Sequence, residues 1–168
     1  MEKIEIAKRW LEKSKKYNNT DVEEVMDKFF SLYVSYNAIY SKFSQGSAND
    51  DRSCATTKMA EYLKRENITI LNDCESTVKK MIAPIKNGSF YIYGNHSGQD
   101  FKKDNVIIQK IEEDINNYAS ILNFIYGLRS NMFHGEKQII GEQIQLLNPA
   151  NIILEKLLDA LIKKILTN

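Results

Sequence analysis

Apolar residues along this chain recur at intervals of three and four, the beat of one face of an α-helix. In residues 2–16, Ile4, Ala7, Trp10, Leu11 and Ser14 keep that spacing and lysines fill the other face, which predicts a first helix. Tyr17, Asn18 and Asn19 break it, and Thr20 followed by Glu23 has the capping-box form that starts a second. There Val22, Val25, Phe29, Tyr33, Tyr36, Tyr40 and Phe43 lay an aromatic seam along one face. That helix is expected at the centre of the packing, and Asn37, beside the seam, needs a hydrogen-bond partner. After the polar connection Gln45 to Asp51, Met59, Tyr62 and Leu63 suggest a third, more exposed helix to about Arg65. Ile68 to Ile85 reads as a fourth, with Pro84 expected to stop or kink it.

A long irregular loop, about 86–105, follows. It holds Asn87-Gly88 and the cluster Gly94-Asn95-His96-Ser97-Gly98, and Phe90 to Tyr93 is too short a run to assign to a sheet. Asp104 or Asn105 can cap a fifth helix, whose stripe runs Ile108, Ile111, Ile115, Tyr118, Leu122 and Ile125, with Gly135 suited to its C-terminal cap. Residues 136–147 are ambiguous, and Asn148-Pro149 reads as the start of a last helix buried through Ile152, Ile153, Leu157, Leu158, Leu161, Ile162 and Ile165. The expectation is an all-α fold, a bundle of about five to six helices forming one domain over residues 1–168.

Composition supports that picture and narrows the function. Seven Gly and two Pro leave few tight turns, and 168 residues are enough to bury a core without disulfides or metal. Lys plus Arg number 23 against 22 for Asp plus Glu, so no overall field marks a nucleic-acid partner, and any polyanion binding has to be local. No apolar run approaches the roughly 18 residues of a membrane span. Cys54 and Cys74 are too few and too far apart for a zinc site. A cytoplasmic protein with reduced thiols, no metal and no cofactor is expected.

The irregularity in the pattern is LRSNMFHG, Leu128 to Gly135. Four residues after Ile125 the apolar beat lands on Arg129, and His134 follows five later. A guanidinium at a core-facing position is costly unless something pairs with it, so it has either a structural partner, such as a carboxylate or capping carbonyls, or a task. His134 at a helix C-terminus has its own bland role, an interaction with the helix dipole. At about 100° per residue, positions five apart point roughly 140° away from each other. Arg129 and His134 therefore converge only if the helix loosens at Gly135, or if a second copy of the chain supplies complementary groups.

The stretch RSNMFHG closing a long helix resembles the signature of the HEPN superfamily (higher eukaryotes and prokaryotes nucleotide-binding domains): an Arg, a following polar residue, and a His four to six positions after the Arg. Phe29-Phe30 and Tyr36-Asn37-Ala38-Ile39-Tyr40 resemble the second-helix pattern of its bacterial, Apea-like members. One departure is Ser130, standing where active families commonly carry Asn, Asp or His. The resemblance implies a helical bundle that dimerises so that two Arg and two His line one cleft, acting as a metal-independent endoribonuclease of the toxin or phage-defence kind. RNA would be the substrate, and an antitoxin or defence-system protein a partner.

The residues suit that chemistry. Cleavage by the 2′-hydroxyl needs one proton removed and another delivered to the leaving 5′-oxygen, and a His near neutrality can do either, which assigns His134. Arg129 can offer a permanently charged fork to the phosphorane oxygens. Ser130 and Asn131 could position the phosphate or the His tautomer, Asn37 is a supporting candidate, and Lys137 or Lys102-Lys103 could touch RNA phosphates. Asn123 and Tyr126 read as core or dimer contacts, and His96 as a solvated loop residue. The loop lacks the Gly-Lys-Ser/Thr of a P-loop, which argues against nucleotide hydrolysis. The competing expectation is a catalytically silent helical module that binds RNA or nucleotide, or mediates assembly with a partner protein.

Overall fold

Asp21 starts the central helix. Its carboxylate accepts from the backbone N–H groups of Glu23 and Glu24, at 2.9 and 3.1 Å, while Asn18 Oδ1 folds the preceding turn by accepting from Thr20 and Asp21. The cap therefore falls one residue later than the Thr20 predicted, because the carboxylate of Asp21 is the better acceptor for the first turn. The computed structural model describes residues 2–44, 50–95, 98–133 and 143–167. The helices are α1 (Glu2–Ser14), α2 (Val22–Tyr40), α3 (Asp51–Ser53), α4 (Met59–Arg65), α5 (Glu75–Lys86), α6 (Phe101–Glu113), α7 (Tyr118–Phe133) and α8 (Ile144–Thr167). A π-helical stretch, Cys54–Lys58, joins α3 to α4, so the two run on as one helical segment. The protein is an all-α bundle.

α2 is the packing centre. α1 lies along it and buries Ile4, Ala7 and Leu11, and the Ser35 hydroxyl donates to the Ala7 carbonyl at 2.7 Å. On its other side α8 is tied across by Asn151, whose amide donates to the Val25 carbonyl, and by the largely buried pair Lys28–Glu155 at 3.0 Å. Along the seam Phe29, Tyr33, Tyr36 and Tyr40 are almost fully buried and meet edge to face or tilted, with neighbouring rings 5.1–6.4 Å apart.

Several expectations are corrected. The single fifth helix is two, α6 and α7, broken at Asp114, which is extended at φ −146°. Asp114 Oδ1 accepts from Asn116 N and Asn117 Oδ1 from Ser120 N, so two side chains compete with the helix ladder and restart it. The loop ends sooner than predicted. Asp100, not Asp104, caps α6, and Asp104 is buried, accepting from the backbone N–H of Ile92 and Tyr93. A two-residue antiparallel ladder pairs Gly94–Asn95 with Gly98–Gln99 inside that loop. The third helical segment is not exposed, for Cys54, Ala55, Met59 and Leu63 are buried. α8 begins a turn before Pro149, which sits inside it, and Asn148 donates to the Asn19 carbonyl instead of capping. Pro84 likewise stays within α5, which runs to Lys86. Both cysteines are free and buried, and no helix among the described residues is long and apolar enough to cross a membrane.

Candidate functional site around Arg129

α7 buries a broad apolar face. Ile121, Leu122, Phe124, Ile125 and Leu128 are buried, and three of the polar side chains of the helix, Asn123, Tyr126 and Arg129, follow one another at steps of three on one stripe. That stripe faces two other parts of the chain. The guanidinium carbon of Arg129 lies 5.6 Å from the centre of the Tyr33 ring on α2 and 5.8 Å from that of Tyr126. Both distances fall within cation–π range, so electron-rich faces help to hold the cation.

Tyr126 is the hinge of the cluster. Its hydroxyl donates to Asp51 Oδ2 at 3.0 Å, and Tyr40 donates to the other oxygen, Oδ1, at 2.9 Å. Burial, and then the Asp51 carboxylate, push the Tyr126 hydroxyl above its ordinary value, with the Arg129 and Arg52 charges working the other way. Burial also raises Tyr33, Tyr36 and Tyr40, so these phenols stay protonated at neutral pH.

Next to Asp51, Arg52 reaches the same ring, its guanidinium carbon 5.5 Å from the Tyr126 centre and 5.9 Å from that of Tyr93. Asn123 Oδ1 accepts from both Nε and Nη2 of Arg52, at 3.1 and 2.6 Å, and the Tyr93 hydroxyl accepts from Nη2 as well. The arm Phe90 to Tyr93, which leads into the two-residue ladder, is pinned to α7 from two sides. Asn131 Nδ2 donates to the Ile92 carbonyl at 2.8 Å, and Ile92 packs so closely on Gly127 that a Cβ there would lie 2.3 Å from its Cγ2. Gly127 is thus needed for close approach, not for backbone conformation.

The predicted site residues divide accordingly. Arg129 belongs to the cluster through the Tyr33 and Tyr126 rings. Asn131 has its amide committed to the arm, which makes it a strut for the loop. Ser130 is half-buried beside Arg129 in the chain, and Asn37 is half-buried one turn after Tyr33, with no side-chain hydrogen bond among the described residues. His134, Lys137 and His96 lie outside the described residues. Sequence reasoning missed Asp51, Arg52 and Tyr93, and it took Tyr126 and Asn123 for core or dimer contacts. The three-residue spacing of Asn123, Tyr126 and Arg129 on a largely apolar helix was the available signal.

Two grooves lined by described residues open elsewhere. One of about 720 Å³ lies between α5 and α6 over Ile82, Ile111 and Ile115, rimmed by the ion pairs Lys79–Glu75 and Lys86–Glu112, and one of about 470 Å³ lies between α5 and α8. Neither is lined by Arg129 or its partners, and neither gathers nucleophiles or histidines. Among the described residues no three His, Cys, Asp or Glu side chains come together as metal ligands. No family model, no curated protein and no solved structure matches this chain.

Proposed function

We propose that the protein is a metal-independent endoribonuclease of the toxin or phage-defence kind, acting in the cytoplasm as a homodimer with Arg129 and His134 as its catalytic residues. The observation that carries this reading is the setting of Arg129: a permanent cation held against the Tyr33 and Tyr126 rings near the end of α7, five residues before His134. The 2′-oxygen attacks the adjacent phosphorus as its proton passes to a base, and the P–O5′ bond breaks as the 5′-oxygen takes up a proton. Imidazole chemistry at His134 serves these transfers, and Arg129 neutralises the charge that builds on the phosphoryl oxygens. The products are a 2′,3′-cyclic phosphate and a 5′-hydroxyl.

A second reading is favoured by Ser130, a weaker polar partner than the Asn, Asp or His usual after the Arg of the signature, and by the formal charge of +1. In it the same cluster binds RNA, nucleotide or a partner protein without cleaving. Mapping of product ends after incubation with structured and single-stranded RNA in EDTA separates the two. The nuclease yields cyclic-phosphate ends, and the silent module leaves the RNA whole. Mixing Arg129→Ala with His134→Ala protein tests the composite cleft. Activity regained in the mixture requires Arg and His from different copies, and activity regained in no mixture contradicts that arrangement.

A further inference from the structure

Arg52 contrasts with the cations that form ion pairs among the described residues. Lys28, Lys58, Lys79, Lys86 and Lys103 each lie within 4 Å of a carboxylate, as do Arg65 and Lys164 with Glu66. Among the described residues no carboxylate pairs with Arg52, although it is fixed by hydrogen bonds at both Nε and Nη2. Its acceptors, the Asn123 amide oxygen and the Tyr93 hydroxyl, are neutral. Asp51, the acidic residue next to it, has its two oxygens engaged by Tyr40 and Tyr126. The side chain is exposed, and the N–H groups of Nη1 make no hydrogen bond among the described residues.

Orienting a guanidinium costs side-chain entropy, and a surface that did so for stability alone would gain more from a carboxylate at position 123 than from an amide. A neutral clamp holds direction without cancelling charge. The π-helical stretch that begins two residues after Arg52 fits such a role, since these irregular turns concentrate at functional sites. Arg52 and Arg129 also share the Tyr126 ring, at 5.5 and 5.8 Å.

From this we infer that Arg52, clamped by Asn123 and Tyr93, is a substrate-binding residue that holds an RNA backbone phosphate next to the one engaged at Arg129. The inference rests on the ribonuclease reading for its choice of ligand. It assigns Arg52 to binding and Asn123 to positioning.

The test is fluorescence anisotropy with a single-stranded 2′-O-methyl RNA oligonucleotide, which lacks the attacking hydroxyl, titrated over a range of salt with wild type, Arg52→Ala, Arg52→Lys and Asn123→Asp. Arg52→Ala weakens binding by roughly fivefold or more and lowers the slope of log affinity against log salt by about 0.7, one single-strand phosphate contact. Arg52→Lys restores the salt slope but not the full affinity. Asn123→Asp supplies the missing counter-charge, so affinity falls as in Arg52→Ala while the melting temperature holds or rises. Unchanged affinity in both Arg52→Ala and Asn123→Asp overturns the inference and makes Arg52 a strut for the arm. Arg129-dependent cleavage by the wild type, measured alongside on 2′-hydroxyl RNA, leaves the nuclease reading standing in that case. A wild type that neither binds the oligonucleotide nor cleaves RNA removes both.

Discussion

The hydroxyl of Tyr126 donates to Asp51 at 3.0 Å across 75 positions of sequence, and Tyr40 donates to the same carboxylate from a third helix. The pair couples α7, which carries Arg129, to the turn that carries Arg52. Tyr126→Phe keeps the ring under both guanidinium groups and removes only this bond. Because the acceptor is a partly buried carboxylate, stability falls by about 1–2 kcal/mol in urea unfolding. RNA cleavage falls as well, since the α7 stripe loses its tether, while Tyr40→Phe lowers stability with less effect on cleavage.

Gly127 tests the arm. Gly127→Ala drives a methyl into Ile92 at 2.3 Å, which displaces the arm and costs about 1–3 kcal/mol. In an Ile92→Ala background the same substitution costs less, and the difference is the coupling measured by a double-mutant cycle. Equal costs in both backgrounds contradict the packing described for this arm.

At Tyr33 the aromatic face, not the hydroxyl, holds Arg129. Tyr33→Phe therefore retains cleavage within about twofold, whereas Tyr33→Leu removes the cation–π contact, about 0.5–2 kcal/mol, and lowers cleavage accordingly. Steady-state rates on one RNA substrate compare the two.

The Arg65–Glu66–Lys164 cluster gives stability a pH dependence of predictable sign. The hydrogen bond from Arg65 holds the Glu66 carboxyl below its ordinary value, with the Lys164 charge adding to the effect. A carboxyl lowered in the folded state contributes stability above its unfolded value, about 4.3, and loses it as pH falls through the folded value. Wild type is therefore more stable than Glu66→Gln at pH 7, and thermal melts of the two converge once the pH drops well below 4.3. High salt narrows the gap, because Arg65 is exposed and Glu66 and Lys164 are only half-buried.

The helices and the central cation were legible in the chain for one reason, and the rest of the site was hidden for another. Periodicity reports burial of a face, so α1, α2 and the body of α8 could be read directly, and Arg129 stood out as a charge on an apolar beat. The same beat misled at Ile115 and Tyr118, which keep helical spacing across the break where Asp114 and Asn117 capture backbone N–H groups. Asp51 and Arg52 reach α7 through hydrogen bonds 75 and 71 positions long and Tyr93 joins them through Arg52, 41 positions away, and nothing in their own neighbourhoods marks them. Asn123 and Tyr126 were readable in principle, as the other polar members of the stripe that ends at Arg129.

The most direct test of the central claim is single-turnover cleavage of one defined RNA in EDTA by wild type, Arg129→Ala and His134→Ala, with circular dichroism showing that all three remain folded. Wild type is expected to leave 2′,3′-cyclic phosphate ends, and each variant to lose at least about a hundredfold in rate, the range for removing a catalytic acid–base or an oxyanion-stabilising group. Wild-type protein that leaves the RNA intact, or variants that cut it at the wild-type rate, would contradict the assignment of catalysis to this pair.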